Sequence, residues 1–270
     1  MSFTIITATY NCKSEIEENV ENILSLKRSG LEIQWVVIDG GSSDGTKEKL
    51  RSELGSTIDY FESKKDNGIY DAWNKAIPHI ANNWVLFMGA GDTINENSLK
   101  VISKELEESN YKMVYGNVSL MNHGSCVKVF SKIEPEDYSN GRPSLPCHQG
   151  VLHHKSIFST DSKFDTSYKI AGDSKFLLLA LKKYQLKYID IEVARMKMGG
   201  VSTSPDSCVK TMREICRLNK ELDIQIPKLN RYIFIFKMHV KNLIYIFCGE
   251  KFFQAYGKAR RMLFNGDDIY

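Results

Sequence analysis

Polar residues follow three predicted strands of this chain at the points where those strands end, and two of the three segments contain carboxylates and glycines. The segments are TYN (9–11), DGGSSDG (39–45) and GAGD (89–92). In an open parallel sheet, ligands bind at the carboxyl ends of the strands. Each segment alone is also typical of a turn, but three of them at one predicted edge favour a binding site.

The glycine-rich segments lack the spacing of two common phosphate-binding loops. The chain has no GxxxxGK[ST] segment, and no GxGxxG opens the first predicted helix. Those glycine patterns shape the phosphate cradles of P-loop proteins and of dinucleotide-binding proteins. A P-loop hydrolase and a conventional dinucleotide-dependent dehydrogenase are therefore disfavoured.

The elements that must hold these segments alternate between strands and helices. Short apolar runs predict strands at 3–8, 34–38, 58–61, 84–88, 113–120, 126–130 and 186–191. Helical patterns are found near 14–24, where Ser14 and Glu17 suggest a capping box, and at 46–54, 69–80, 95–108 and 173–183. This alternation predicts an α/β fold with a mainly parallel sheet and helices on both faces.

The composition is that of a globular protein. The chain has 270 residues, 42% of them apolar, and a net charge of +3 that does not by itself indicate a nucleic-acid partner. Its six cysteines form no CxxC pair, and the first residues lack the basic start of a signal peptide. These features predict a reduced, cytoplasmic protein.

Four motifs, in their order and spacing, resemble glycosyltransferases of family 2 with the GT-A fold. They are TATYN (7–11), VVIDGGSSDGT (36–46), SKKDNGIYDAWNKAI (63–77) and WVLFMGAGD (84–92). The segment DNGIYDAWNK is similar to the branch that acts in bacterial polysaccharide and O-antigen synthesis. The resemblance implies a catalytic domain over 1–204, with a nucleotide-binding half at 1–110 and an acceptor half at 111–204. A basic, aromatic helical tail follows over 205–270.

The resemblance also implies a nucleotide-sugar site. Its residues would be Thr7, Ala8, Tyr10, Asp39, Lys65, Asp66, Gly68, Gly91 and Asp92. Asp39 suits the nucleoside because both of its oxygens accept hydrogen bonds. Tyr10 would line the base or simply pack, and Lys65 would face the nucleoside diphosphate or simply be an exposed lysine.

The segment GAGD corresponds to the DxD motif that holds a divalent ion against the diphosphate in this family. Mg²⁺ or Mn²⁺ prefers oxygen ligands, and Asp92 is the implied ligand. The chain departs from the pattern because Ala90 stands in place of the first aspartate. Metal dependence is therefore less secure than for a complete DxD.

The acceptor half must supply a base. The segment KIAGDSKFLLLALKK (169–183) resembles the family's base segment, which makes Asp173 the candidate, and GGVS (199–202) follows at the family's spacing. Asp173 is alternatively a helix N-cap. His148 and Gln149, in PCHQG (146–150), would contact the donor sugar or the acceptor, although a buried structural histidine is the more common case.

The tail carries charge and aromatic residues together. Residues 228–264 contain eight Lys or Arg and a single Glu. An amphipathic helix on an anionic membrane is one interpretation; a helix packed on the catalytic domain, or forming a homo-oligomer, is the other. The chain has no recognised nucleic-acid motif, so no nucleic-acid partner is expected.

These features together predict an inverting glycosyltransferase. It would move a hexose from a nucleotide sugar, on family frequency a UDP-sugar, to a free or lipid-linked glycan. The enzyme would be cytoplasmic and peripheral at the inner face of the cytoplasmic membrane. Two alternatives remain open: a nucleotidyltransferase of similar fold, and a non-catalytic protein that binds a sugar nucleotide or a membrane.

Overall fold

The computed structural model describes residues 1–107, 110–134, 136–158, 162–200 and 207–263, without the side chains of 107 and 248–263. The chain divides into two compact units. The first contains Met1–Leu120, Val129–Lys132 and Pro146–Lys197, and the second contains Met121–Lys128, Ile133–Leu145 and Met198–Tyr270. The predicted boundary at residue 204 and the end of the GGVS segment lie outside the described residues.

Strands and helices alternate from the start of the chain. The strands up to residue 197 are β1 (Ser2–Thr9), β2 (Glu32–Asp39), β3 (Tyr60–Ser63), β4 (Trp84–Phe87), β5 (Thr93–Ile94), β6 (Met113–Asn122), β7 (Ser125–Phe130), β8 (Tyr138–Ser139), β9 (Arg142–Pro143), β10 (Val151–His154) and β11 (Leu186–Lys197). The helices are α1 (Ile16–Arg28), α2 (Thr46–Ser52), α3 (Ile69–Ala76), α4 (Glu96–Glu107) and α5 (Gly172–Leu181). The predicted α/β class is confirmed.

Four strands form the parallel part of the main sheet. Within the described residues the strand order is β3-β2-β1-β4-β10-β6-β11-β5, with β7 paired to β6. Strand β1 pairs in parallel with β2 and β4, and β2 pairs in parallel with β3. The register sets Thr9 opposite Asp39 and Asp39 opposite Ser63, so three strand ends meet at one edge. Strands β1, β2 and β4 are largely buried, as expected for a parallel sheet covered by helices, whereas the edge strand β3 is half-buried.

The second half of the sheet adds antiparallel strands. Strand β10 pairs antiparallel with both β4 and β6, and β5 pairs antiparallel with β11. The sequence predicted neither β5, which has two residues, nor β10, whose sequence VLHH carries two histidines. Strand β11 runs to Lys197, six residues beyond its predicted end.

The first helix begins differently from its prediction. A capping box requires Ser14 to accept a hydrogen bond from the backbone and Glu17 to return one. Instead, Glu15 is the N-cap residue without a side-chain cap bond, and the Ser14 hydroxyl donates to the Glu15 carboxylate. The capping-box prediction is therefore wrong. The backbone N–H groups of Glu15 and Ile16 bond to the carbonyl of Cys12 instead.

The second unit contains two further helices, α6 (Cys208–Glu221) and α7 (Lys228–Leu263), and these pack on each other. Helix α7 buries Phe234 and Met238, and the Phe234 ring covers Gly141 in the turn between β8 and β9. A different face of α7 leaves large apolar side chains exposed: Leu229, Tyr232, Phe236, Leu243 and Phe247. No helix in the described part of the chain is long and apolar enough to cross a membrane.

Candidate active site

The loops after β1 and β2 are tied together by side chains at the edge of the sheet. The Asn11 N–H donates to Ser42 Oγ at 2.8 Å, and the Ser43 N–H donates to Asn11 Oδ1 at 3.0 Å. The Cys12 N–H donates to Thr46 Oγ1 at 2.9 Å. The polar segments after β1 and β2 therefore form one surface.

Asp39 is buried beneath this surface and accepts hydrogen bonds from the residues that form it. Its side chain is fully buried, and Oδ1 accepts hydrogen bonds from Thr9 Oγ1 and Ser42 Oγ. Oδ2 accepts from the N–H groups of Gly41 and Ser42 and from Ser63 Oγ at 2.7 Å. Burial alone would raise the pKa of Asp39, but the bonds from Ser42, Ser63 and Thr9 lower it. A carboxylate has about four lone-pair sites, so protein donors already fill Asp39.

Asp66 is the carboxylate that faces the strand ends with an oxygen to spare. Its Oδ1 accepts from the Gly68 N–H at 2.9 Å, whereas Oδ2 has no donor among the described residues. A Cβ atom on Gly40 would lie 2.8 Å from Asp66 Oδ2. The glycine therefore makes room for this carboxylate beside the end of β2.

The other predicted nucleotide-site residues differ in exposure. Thr7 is buried and its Oγ1 accepts from Trp35 Nε1 at 2.9 Å, which makes it part of the core. Tyr10 is 67% exposed at the end of β1. Ala8 is half-buried, Lys65 is exposed, and Gly68, with φ of +110°, precedes α3.

The GAGD loop after β4 is held by one residue of α1. Asn19 is fully buried, and its Nδ2 donates to the carbonyls of Gly89 at 2.9 Å and Asp92 at 3.0 Å. Its Oδ1 accepts from the Gly91 N–H at 2.7 Å. Three hydrogen bonds from one amide therefore fix the loop's backbone.

The Asp92 carboxylate is buried and accepts hydrogen bonds from two backbone N–H groups. Only 4% of the residue is exposed; Oδ2 accepts from the Gly89 N–H at 2.9 Å and Oδ1 from the Lys197 N–H at 2.8 Å. Burial raises the pKa of Asp92 to about 6, although these two backbone bonds oppose the shift. Asp92 thus joins its loop to the end of β11.

This geometry does not fit a divalent metal centre of the DxD kind. Residues 89–91 carry no side-chain oxygen, and Asp92, the one carboxylate of the loop, is buried with a backbone N–H on each oxygen. Among the described residues, no group of three or more His, Cys, Asp or Glu side chains is arranged to hold a metal ion. The implied role of Asp92 as a ligand stays a prediction that its surroundings do not favour.

Asp173 lies in the first turn of α5, where Tyr70 of α3 reaches it. The N-cap of α5 is Ala171, so Asp173 is not the cap that the alternative required. Its Oδ1 accepts from the Ser174 N–H at 2.6 Å and from the Tyr70 hydroxyl at 3.3 Å. The Tyr70 hydroxyl also lies 2.5 Å from the Ile170 carbonyl, and its ring covers Gly172.

His148 belongs to a buried aromatic cluster. Its ring stacks on Trp73 at 5.0 Å between centroids, and neither ring nitrogen has a hydrogen-bond partner among the described residues. Burial lowers the pKa of His148 to about 4, although the charge of Asp173 opposes the shift. Gln149 is half-buried and its Oε1 accepts from Cys147 Sγ at 3.2 Å.

Three residues that position this site were not identified from the sequence. Asn19 lies on the apolar face of α1, three residues after Ile16 and four before Ile23, and a polar residue on that face was the available signal. Tyr70 and Lys197 gave no such signal, because their partners are 103 and 105 residues away in the chain.

The family model described as glycosyl transferase family 2 matches residues 4–138. A PGL/p-HBAD biosynthesis glycosyltransferase of Mycobacterium bovis is 24% identical over 214 residues, which cover 75% of this chain and 79% of the relative. A Mycoplasma genitalium protein described as an uncharacterized glycosyltransferase is 26% identical over 140 residues, 48% of this chain and 44% of that protein.

Two solved structures have a similar fold. Residues 1–349 of S. aureus TarS, in complex with UDP-GlcNAc, align with a TM-score of 0.61 and 17% identity over 92% of this chain and 73% of that chain. The mannosyltransferase PcManGT from Pyrobaculum calidifontis, in complex with GDP-Man and Mn²⁺, aligns with a TM-score of 0.59 and 17% identity. That alignment covers 91% of this chain and 70% of the mannosyltransferase.

Proposed function

The chain belongs to glycosyl transferase family 2 and has the GT-A fold, and from that premise we propose that it transfers a hexose from a nucleotide sugar to a glycan hydroxyl. A UDP-sugar is the proposed donor, and a free or lipid-linked oligosaccharide of the cell surface is the proposed acceptor. The UDP-GlcNAc in TarS and the GDP-Man in PcManGT support a nucleotide-sugar donor. Residues 1–204 are the proposed catalytic domain.

One observation carries this proposal: the first turn of α3 connects a donor-side carboxylate with a candidate base. Asp66 precedes the helix and bonds to Gly68, while Tyr70 in its first turn bonds to Asp173. Both carboxylates keep Oδ2 without a donor among the described residues. A nucleoside would donate a hydrogen bond to Oδ2 of Asp66, and an acceptor hydroxyl would donate one to Oδ2 of Asp173.

On the donor side, Asp66 is better suited than Asp39 to accept hydrogen bonds from the nucleoside. The ring of Tyr10, exposed at the end of β1, is available to stack on the base. Asp39 supports the surface from below because its own oxygens are occupied. Lys65 and Gly68 are also proposed to contact the nucleotide sugar.

The proposed reaction is a single inverting displacement. Asp173 takes the proton of the acceptor hydroxyl, whose oxygen then forms a bond to the anomeric carbon. The bond from that carbon to the diphosphate breaks at the same time, and its electron pair stays on the phosphate oxygen. No step is routed through Mg²⁺ or Mn²⁺, because the surroundings of Asp92 do not fit one. The half-buried Gln149 is the proposed acceptor-side contact, whereas the predicted contact His148 is buried against Trp73.

A donor panel tests the proposal. Purified protein is incubated with UDP-, GDP- and dTDP-hexoses and a mixture of glycan acceptors, and the released nucleoside diphosphate is measured. The expected result is acceptor-dependent release from one donor, with inversion at the anomeric carbon. Release of pyrophosphate from a nucleoside triphosphate would instead indicate a nucleotidyltransferase, and binding without release would indicate a non-catalytic protein.

The exposed apolar face of α7 supports a second part of the proposal, attachment to the inner face of the cytoplasmic membrane. Phe236 and Phe247 are 68% and 80% exposed on this face, and Arg231 on the same helix is exposed. Aromatic burial combined with basic residues binds a helix to anionic lipid. A lipid-linked acceptor would then lie at the same surface.

Sedimentation with vesicles tests this attachment. The protein should bind vesicles rich in phosphatidylglycerol at low salt, and replacing Phe236 and Phe247 with serine should abolish binding. Replacing the exposed Lys183, in the turn after α5, with glutamine serves as the control for a surface change elsewhere. Absence of binding by the unaltered protein, with a concentration-dependent dimer in light scattering, would favour the homo-oligomer interpretation.

A further inference from the structure

A lysine side chain lies against the GAGD loop, where this family's metal motif would lie. Lys197 ends β11, and its backbone N–H is held at 2.8 Å by Asp92 Oδ1. Its side chain lies across Gly91: a Cβ atom there would be 2.7 Å from Lys197 Cδ and 3.5 Å from Nζ. The loop and the lysine are therefore built against each other.

The glycine at position 91 is required by this arrangement. Its φ of +79° lies in the left-handed region that favours glycine. Any side chain at 91 would also displace the aliphatic part of Lys197. Gly91, which stands between Ala90 and Asp92, therefore leaves open the space that the Lys197 side chain occupies.

The Lys197 ammonium is available to a ligand. The residue is exposed, and none of the described carboxylates lies within ion-pair distance of its Nζ. Glu15 contacts the same glycine position through its Cβ at 3.4 Å, while its carboxylate accepts from the Ser14 hydroxyl. A lysine ammonium binds phosphate oxygens as a compact point charge.

We propose that Lys197 supplies the positive charge that stabilises the leaving nucleoside diphosphate, so that transfer does not depend on a divalent metal. The inference rests on the proposed glycosyl transfer. When the bond between the anomeric carbon and the diphosphate breaks, the electron pair stays on the phosphate oxygen, and the ammonium compensates that charge. The acceptor proton leaves to Asp173, and no redox change or further reactant is involved.

The buried side of the loop explains why the lysine is held there. Asn19 fixes the backbone of Gly89, Gly91 and Asp92, and Asp92 in turn fixes the backbone of Lys197. Charges that are held in place before the reaction stabilise a transition state without a cost of reorganisation. The aspartate left in this motif thus anchors the cation and does not bind a metal.

Two variants of Lys197 provide the test. Lys197→Met keeps the aliphatic stem and removes the charge, and it should lower kcat by about 10²–10³-fold, the range seen when one charge-stabilising group is removed. Lys197→Arg should retain most activity. Lys183→Met, an exposed position in the turn after α5, is the matched control and should leave kcat unchanged. Wild-type activity should survive excess EDTA.

A binding measurement separates this inference from the proposed function. The affinity for UDP and for GDP is measured by calorimetry in EDTA, where Lys197→Met should weaken the tighter of the two by about 10-fold, equivalent to 1.4 kcal/mol. If no donor supports transfer, this binding result alone decides the role of Lys197. The inference would be overturned by loss of wild-type activity in EDTA with recovery in Mn²⁺. Equal affinity of the wild type and Lys197→Met for the tighter of the two nucleotides would also overturn it.

Discussion

At the scale of single residues, four carboxylates near one sheet edge have different surroundings and therefore different capacities. Asp39 is saturated by protein donors, and Asp92 is buried and joined to two backbone N–H groups. Asp66 and Asp173 each have an oxygen without a donor among the described residues. Residue type alone does not distinguish these four cases, since each is an aspartate near the end of a strand or the start of a helix.

Replacing the candidate base gives the most direct test at this scale. Asp173→Asn keeps the size of the side chain and removes the proton acceptor, so kcat should fall by about 10²–10⁴-fold while donor affinity is retained. Transfer assays and calorimetry measure the two quantities separately. The same change at Asp190, an exposed carboxylate of β11, should affect neither. Turnover of Asp173→Asn within a few-fold of wild type would exclude the base role.

The donor side has a matching prediction. Asp66→Asn removes a charged acceptor for the nucleoside, and hydrogen bonds to charged groups contribute about 1.5–3 kcal/mol. We therefore expect UDP affinity to fall by about 10–100-fold, with little change in the thermal midpoint. Asp39→Asn should instead lower the thermal midpoint, because it disturbs the buried bonds from Thr9, Ser42 and Ser63. If Asp39→Asn weakened UDP binding more than Asp66→Asn did, the assignment would have to be reversed.

At the scale of elements, the parallel strands could be predicted because their signal is local. Buried β-branched runs such as those of β1 and β2, followed by turn residues, mark both a strand and its end. Strands β5 and β10 gave no such signal, since one has two residues and the other ends in two histidines. Their pairing with β11 and β4 depends on contacts between distant parts of the chain.

The candidate site also contains parts with a local sequence signal and parts that depend on contacts between distant residues. The polar segments after β1, β2 and β4 were found from their position in the sequence. The partners of Asp92 were not, because Asn19, 73 residues earlier, bonds to its carbonyl, and the end of β11, 105 residues later, bonds to its carboxylate. The role of Asp92 as a metal ligand stays a prediction.

Helix α1 carries a prediction about how the GAGD loop is held. Asn19→Ala leaves two carbonyls and one N–H of the loop without partners, and each unsatisfied buried group costs about 1–3 kcal/mol. The thermal midpoint and UDP affinity should both fall. Asn22→Ala, one turn later, removes two bonds to Ile94 in β5 and is the matched control. That variant should lose stability without losing UDP affinity.

Failure of Asn19→Ala to change UDP affinity, at a temperature where the protein stays folded, would mean that the loop keeps its shape without the asparagine. The inference about Lys197 predicts instead that Asn19→Ala lowers the affinity for UDP. Because Asp92 holds Lys197, a shift of the loop should also move the lysine. Measuring Asn19→Ala with Lys197→Met as a double variant tests this link, since coupled residues give non-additive effects.

At the scale of the whole molecule, positive charge is concentrated at one end of the sequence. Eight Lys or Arg lie within residues 228–264, whereas the net charge of the entire chain is only +3. Side chains of that segment from residue 248 onward lie outside the described ones. The exposed apolar face of α7 lies within the same basic segment. A body close to neutral with one basic, apolar end is suited to contact an anionic surface through that end.

The buried histidines make the stability of the first unit depend on pH. His148 has a pKa near 4 when folded, below its unfolded value near 6.5, and burial also lowers the pKa of neighbouring His153. The unfolded chain therefore binds protons that the folded chain does not, and stability falls as pH drops below about 6.5. Burial of His148 alone should lower the free energy of unfolding by about 2 kcal/mol at pH 5 relative to pH 7.5.

Urea unfolding at these two pH values should show a smaller loss of stability for His148→Phe than for wild type. His239→Gln, which changes an exposed histidine of α7, should keep the wild-type loss. An equal loss in His148→Phe would mean that His148 is hydrated and protonated in the folded protein.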